Sequence, residues 1–218
     1  MTPDHALALE ALAVDAANLS SAKVAAPLTK ATIYYKPDTE EAARREATGL
    51  TAVTRLDWLD RLMNLPIGLP VPGDDLTKYD RRDFLRLPPG RVDLTLDGVV
   101  RRITRPLDVK LAVVTGRQWR PGLTRASRYA SYCPRALVLT GSPKDLHDAA
   151  VTADLYGIGL VINACCEPEL VVAPAPFEQY RHTPAGWAFL EEVHRQAVKG
   201  ENCGTVTAQK GTTGRGGE

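Results

Sequence analysis

The sequence predicts an α/β protein in which helices flank a mixed central sheet, and three observations carry that prediction. From residue 91 onward the pattern of apolar residues runs strand, strand, helix, strand, helix, strand, the order that builds an α/β core. Arg91 to Leu96 alternates strictly, with Val92, Leu94 and Leu96 on one face and Asp93 and Thr95 on the other; Leu107 to Val113 begins the same way. The chain has 218 residues, 44% hydrophobic and 24% charged, which suits one sizeable core or two small ones and excludes a disordered or collagen-like chain.

Residues 1–86 read as an N-terminal helical region. The alanines and leucines of residues 3–26 favour a helix that Pro27 ends. Residues 31–36 are a short strand closing at Pro37. Asp38 or Thr39 then caps a helix reaching Thr48, with Glu40 and Glu41 in the first turn, where the helix dipole favours acids, and Gly49 as its stop. An amphipathic helix at 51–64 and a Pro- and Gly-rich loop complete this region.

The predicted core, residues 87–175, holds strands at 91–96 and 107–113, a helix at 119–132, a strand at 136–140, a helix at 143–156 capped by Ser142, a buried strand at 158–163 after Gly157, and an edge strand at 170–173. Cys165 and Cys166 are expected to pack at a strand end. Residues 176–198 read as a C-terminal helix on the core, capped by Thr183. Residues 199–218, with six glycines and almost no large apolar side chain, read as a disordered tail.

No run of about 18 apolar residues exists, so no membrane partner is expected. The opening stretch carries Asp4, Glu10 and Asp15 with no basic leader, unlike a signal peptide. Four cysteines without a CxxC pair argue against a zinc site or disulfide scaffold, and a cytoplasmic, reducing location is expected. The net charge of +1 hides an uneven distribution: residues 99–135 hold nine basic side chains and one acid, whereas residues 1–60 hold nine acids and six bases. Arginine grips phosphate in a bidentate way, so the basic stretch suits a nucleic-acid surface; a solvated basic face has the same charge.

Asp93, Asp108 and Lys110 are charged groups on the polar sides of otherwise apolar strands. Two carboxylates converging on one spot repel, a hard divalent cation relieves that repulsion, and a neighbouring lysine stabilises developing negative charge, as metal-assisted phosphodiester hydrolysis requires. The competing structural reading pairs Asp93 with an arginine and Asp108 with Lys110 at a sheet edge. Connection geometry separates the two. A tight hairpin at Asp97-Gly98 sets Asp93 opposite Arg102 and leaves Asp108 roughly 20 Å further along, at about 3.3 Å per residue. A shared metal instead requires a wide connection over 97–105 that pairs the two Asp-bearing strands directly.

The runs RVDLTLDG, LDVKLAVV, GLTRASRYASYCPRALVLT and AAVTADLYGIGLVI, taken in order, resemble the PD-(D/E)XK nuclease superfamily over residues 87–163. In that pattern an Asp precedes a D/E-x-K strand, followed by a helix with a Tyr near its end, a strand, a helix and a Gly-Ile-Gly strand. The resemblance implies a restriction-endonuclease-like core and a nuclease acting on DNA in preference to RNA. It implies Asp93, Asp108 and the Val109 carbonyl as ligands of Mg²⁺ or Mn²⁺, and Lys110 at the attacking water. Arg117, Arg120, Arg125, Arg128 and Tyr129 are expected on the nucleic acid, and a two-strand cut asks for a homodimer. Asp108 replaces the commoner Glu, and Arg125 replaces a common Gln, a change that suits a grip on phosphate or a replaced metal contact and equally a member that has lost activity. Many members add a ligand acid from an early helix; Glu40, Glu41 and Glu46 are the candidates here, and the favoured reading of all three is as solvated helix-face charges. Two other functions remain open: an inactive nuclease-like module that binds nucleic acid or a partner protein, and a transcription regulator whose Thr183–Gly186 region closes a winged helix.

Overall fold

The chain opens with a helix much shorter than its alanines and leucines predict. In the computed structural model, which describes residues 2–25, 29–164, 167–178 and 181–205, α1 covers Pro3–Glu10 and β1 covers Ser20–Val24. The latter lies inside the stretch expected to be helical. β1 pairs antiparallel with β2, Ala31–Pro37, and buries Ala22 and Val24 on alternate positions. Ladder hydrogen bonds and burial outweigh a helix propensity difference of well under 1 kcal/mol per residue. Residues 1–86 are therefore not a helical region, since they supply two strands of the main sheet. Pro27, Cys165, Cys166 and the tail from 206 onward lie outside the described residues.

α2, Thr39–Thr48, begins and ends as predicted. The Asp38 side chain accepts from the Glu41 N–H, and Gly49 takes the left-handed conformation at φ 62°. α3 is Leu56–Met63, β3 is the short Pro70–Val71, and α4 is Lys78–Phe84, opened by a reciprocal capping box between Thr77 and Asp80. β4, Val92–Thr95, and β5, Gly98–Arg101, follow. The second half is β6 (Leu107–Gly116), α5 (Trp119–Ser127), β7 (Arg135–Leu139), α6 (Leu146–Leu155), β8 (Gly159–Ile162), β9 (Glu169–Val172) and α7 (Pro184–Thr205). α6 starts after Asp145 rather than Ser142, and α7 runs beyond its expected end at 198.

Two sheets result. The larger has the order β1-β2-β6-β7-β8-β9, with β6, β7 and β8 parallel and the outer pairs antiparallel; the smaller is β3-β5-β4. β2 and β6 are neighbours in the large sheet although residues 38–106 lie between them, so α2, α3, α4 and the whole small sheet form an insertion between two adjacent strands.

Both faces of the large sheet are buried. On one, Leu137, Leu139 and Leu160 pack under Leu123, Ala126 and Tyr129 of the α5 region and Phe189 and Val193 of α7. On the other, Val113, Val138 and Val161 pack under Ala8 and Leu9 of α1. Each of the valine, leucine and phenylalanine side chains among these contributes about 1.5–3 kcal/mol on burial.

The insertion is tied down differently. Glu191 of α7 is fully buried and accepts four hydrogen bonds: two from the Arg45 guanidinium at 2.8 and 2.7 Å, one from Val53 N and one from the Trp187 indole, both at 3.0 Å. Arg45 also reaches Glu41 at 2.7 Å and the Thr104 carbonyl at 3.0 Å. Glu41 is thus buried at 3% exposure rather than a solvated helix-face charge. Among the described residues, no helix is long and apolar enough to cross a membrane.

Candidate active site

β6 carries Asp108 and Lys110, and its register explains how they are presented. Tyr35 stands opposite Val109 and Tyr34 opposite Leu111, which leaves Lys110 as the extra residue of a β-bulge. The bulge switches the strand's parity. Leu107 and Val109 pack on the α5–α7 side, but beyond it Leu111 and Val113 face α1. Asp108 is exposed, and its carboxylate meets the Lys110 ammonium at 2.6 Å.

Asp93 is elsewhere. β4 pairs with β5 through a tight hairpin whose loop is Leu96-Asp97, so Asp93 stands opposite Val100 and its carboxylate pairs with Arg102 at 2.6 Å. The wide connection that a shared metal requires is absent, because β6 is flanked by β2 and β7 and β4 belongs to the small sheet. Gly98 makes the tight arrangement feasible. Its φ is 133°, and a Cβ there would sit 2.0 Å from the Val71 carbonyl oxygen of β3. Asp93 is therefore corrected from a metal ligand to a hairpin ion pair.

The neighbour that β6 does have brings another acid. Lys36 stands opposite Asp108, Pro37 opposite Leu107, and the Asp38 N–H donates to the Pro106 carbonyl at 3.0 Å. Tyr35-Lys36-Pro37-Asp38 thus runs antiparallel against Val109-Asp108-Leu107-Pro106. Asp38 follows the last ladder pair opposite Pro106, diagonal to Asp108, a spacing of about 7–8 Å between Cα atoms in a regular ladder. One Asp38 oxygen accepts from Glu41 N at 3.0 Å. Sequence spacing pointed instead to Asp93, which precedes Asp108 at the interval the family pattern uses. The available signal was the Pro-Asp dipeptide at the end of a predicted strand, hidden by the insertion that follows it.

These residues line a cleft of about 1020 Å³. One wall is the end of β2 and the start of β6. The insertion supplies another through Met63, Ile67, Arg101 and Arg105, and the segment leading into α7 supplies a third through Phe177, His182 and Trp187. Arg105 lies 3.1 Å from His182 Nδ1, and burial, then the positive charge of Arg105, lowers the His182 pKa and favours its neutral form. Arg101 donates to the Leu62 carbonyl at 2.7 Å and lies 5.7 Å from the Trp187 ring centre. Among the described residues, no three His, Cys, Asp or Glu side chains gather as a metal cage. Glu41, a candidate for a third carboxylate, is committed to Arg44 and Arg45, whose hydrogen bonds outweigh its burial and hold its pKa below the ordinary value.

None of the expected nucleic-acid residues lines this cleft. Arg125 donates to the Thr115 carbonyl at 3.3 Å, at the far end of β6, about 23 Å from Asp108 along the strand. Arg117 and Arg120 belong to the same end, Arg120 stacked 4.2 Å over Trp119 and 3.4 Å from Asp145; Arg128 is exposed just beyond α5. Tyr129 is fully buried and donates to the Thr29 carbonyl at 2.5 Å, while burial and then the neighbouring Cys133 push its pKa up to about 12. It is a core residue and not a nucleic-acid contact. Comparison of the chain with protein-family models, with curated proteins and with solved structures found no match.

Proposed function

We propose that the protein is a metal-dependent nuclease with a restriction-endonuclease-like core, in which Asp38 takes the position that sequence spacing gave to Asp93. The observation that carries this reading is that the antiparallel pairing of Tyr35–Asp38 with Pro106–Val109 brings Lys36, Asp38, Asp108 and Lys110 to the wall of one large cleft. The succession of elements supports it as well: the D-x-K strand β6, helix α5 with Tyr129 just beyond, strand β7, helix α6 and strand β8 follow one another in the expected order.

Two diagonal carboxylates with ordinary side-chain reach fit one hard cation, so Asp38 and Asp108 would hold Mg²⁺ or Mn²⁺, with the remaining positions left to water and phosphate. The ion, when bound, supplies Lewis-acid activation of phosphate and water. Lys110 balances Asp108 and stands where negative charge develops. Lys36, opposite Asp108, adds a second ammonium, and Arg105 faces the same space from the insertion.

One observation favours a second reading, an inactive nuclease-like module that binds nucleic acid. Asp108 is closed onto Lys110, and among the described residues Asp38 and Asp108 are the two carboxylates lining the cleft. A single assay separates them. Purified protein is incubated with plasmid, linear duplex, single-stranded DNA and RNA in Mg²⁺, Mn²⁺ or EDTA. Cutting in metal that is abolished in Asp38→Asn, Asp108→Asn and Lys110→Ala supports the nuclease. Asn caps a helix as well as Asp does, so the first variant keeps α2 intact. Binding without cutting under every metal supports the module and refutes the nuclease.

A further inference from the structure

We infer that the cleft takes single-stranded nucleic acid and excludes duplex. This deepens the reading above and rests on it for the identity of the ligand as a phosphodiester. The cleft walls combine two chemistries that a duplex does not present together. Lys36, Arg101, Arg105 and Lys110 outnumber Asp38 and Asp108, so the lining is net positive and complements phosphate. Most of the remaining lining is apolar or aromatic, with Thr104, His182 and Thr183 as its polar side chains: Phe177 and Tyr132 are half-buried, Met63 likewise, and Ile67 is 56% exposed. A duplex turns its phosphates outward and keeps its base faces stacked, so it would satisfy the cations and leave those apolar surfaces in water. An unpaired strand offers both, because every base has a face to lay on an aromatic or aliphatic side chain.

Size points the same way. A space of about 1020 Å³ matches the upper end of small-molecule pockets, about 300–1,000 Å³, which holds a short run of unpaired nucleotides and not the girth of a double helix. The walls also come from separate parts of the chain, the sheet on one side and the insertion on another, and the Glu191 network fixes the insertion to α7 beside the cleft. The far arginines, Arg117, Arg120 and Arg125, then serve flanking nucleic acid and do not contact the nucleotides in the cleft.

The test is fluorescence anisotropy in EDTA, where no cutting occurs, with labelled (dT)12, (rU)12 and a 12-base-pair blunt duplex. Both single strands are expected to bind at least tenfold tighter than the duplex, and the ratio between (dT)12 and (rU)12 identifies DNA or RNA as the source. Phe177→Ala is expected to weaken single-strand binding about 5- to 100-fold, the effect of losing one stacking surface, with duplex binding unchanged. Arg105→Ala is expected to reduce the single-strand salt slope by about 0.7. Duplex binding as tight as single-strand binding, no binding to any of the three, or a Phe177→Ala variant that is folded by circular dichroism and unaffected, overturns the inference. Failure here is distinct from failure of the nuclease reading: metal-dependent cutting lost in Asp38→Asn but without single-strand preference leaves the nuclease standing. Single-strand preference without cutting does the reverse.

Discussion

The large sheet and the insertion are stabilised by opposite means. Leu111, Leu137, Leu139 and Leu160 of the sheet are fully buried in apolar surroundings on both faces. The insertion has smaller cores, Leu59, Leu62 and Ile103 with Trp187 and Phe84 with Leu65, and it leaves Ile67, Leu69, Tyr79, Leu85, Leu94 and Leu96 more than half exposed. What fixes its position is a buried ionic network around Glu191. Apolar burial is tolerant of small shifts, whereas a carboxylate holding four directed donors is not. The difference teaches that the sheet supplies stability and the network supplies placement, so the insertion's wall of the cleft depends on a handful of polar contacts.

Removing Glu191 should have the largest effect. Glu191→Ala leaves the Arg45 guanidinium buried beside only one carboxylate and is expected to destabilise by about 3–5 kcal/mol in chemical denaturation. Glu191→Gln, which keeps an acceptor, should lose less. Hydrogen exchange sharpens the comparison: exchange in Glu191→Ala should rise in α2 and β5 and change little in β7. Uniform acceleration would mean that sheet and insertion are one cooperative unit. Leu137→Ala should cost about 2–5 kcal/mol and do the opposite, weakening protection in the sheet first.

Acid should distinguish the regions next. Glu41 has a folded pKa below its unfolded one, since its hydrogen bonds to Arg44 and Arg45 outweigh burial. Its contribution is therefore fully present above about pH 4.3–4.5, the unfolded value, and is lost as pH falls through the lower folded value. Tryptophan fluorescence should report release of the insertion, through Trp58 and Trp187, at higher pH than the loss of far-ultraviolet signal from the sheet. Coincident transitions would contradict separate anchoring. Asp93→Asn should have the smallest effect, under about 1 kcal/mol, because its ion pair with Arg102 is about half exposed on both sides and screened by solvent.

Much of the large sheet was legible in the sequence. Runs of valine, leucine and isoleucine mark β6, β7 and β8; Asp38 and Gly49 bracket α2; Gly157, at φ 61°, closes α6. β1 was not, because Ser20–Val24 sits in an alanine-rich stretch whose local preference is helical, and only its pairing with β2 overrides that preference. The parallel order of β6, α5 and β7 is local and readable, whereas the apposition of β2 and β6 across residues 38–106 is not encoded in any short window. That explains the site. Asp108 and Lys110 are visible as a D-x-K strand, but Asp38, which the ladder brings beside them, lies 70 positions earlier in the sequence. The bulge at Lys110 and the burial of Glu191 left no periodic trace, since both depend on neighbours from distant segments.

The most direct measurement sets Asp38→Asn and Asp93→Asn side by side in the metal-dependent cutting assay, with single-stranded and duplex substrates. The account predicts that Asp93→Asn cuts as the parent does and that Asp38→Asn loses at least a hundredfold in rate while keeping its fold. Full activity in Asp38→Asn together with loss in Asp93→Asn would contradict it.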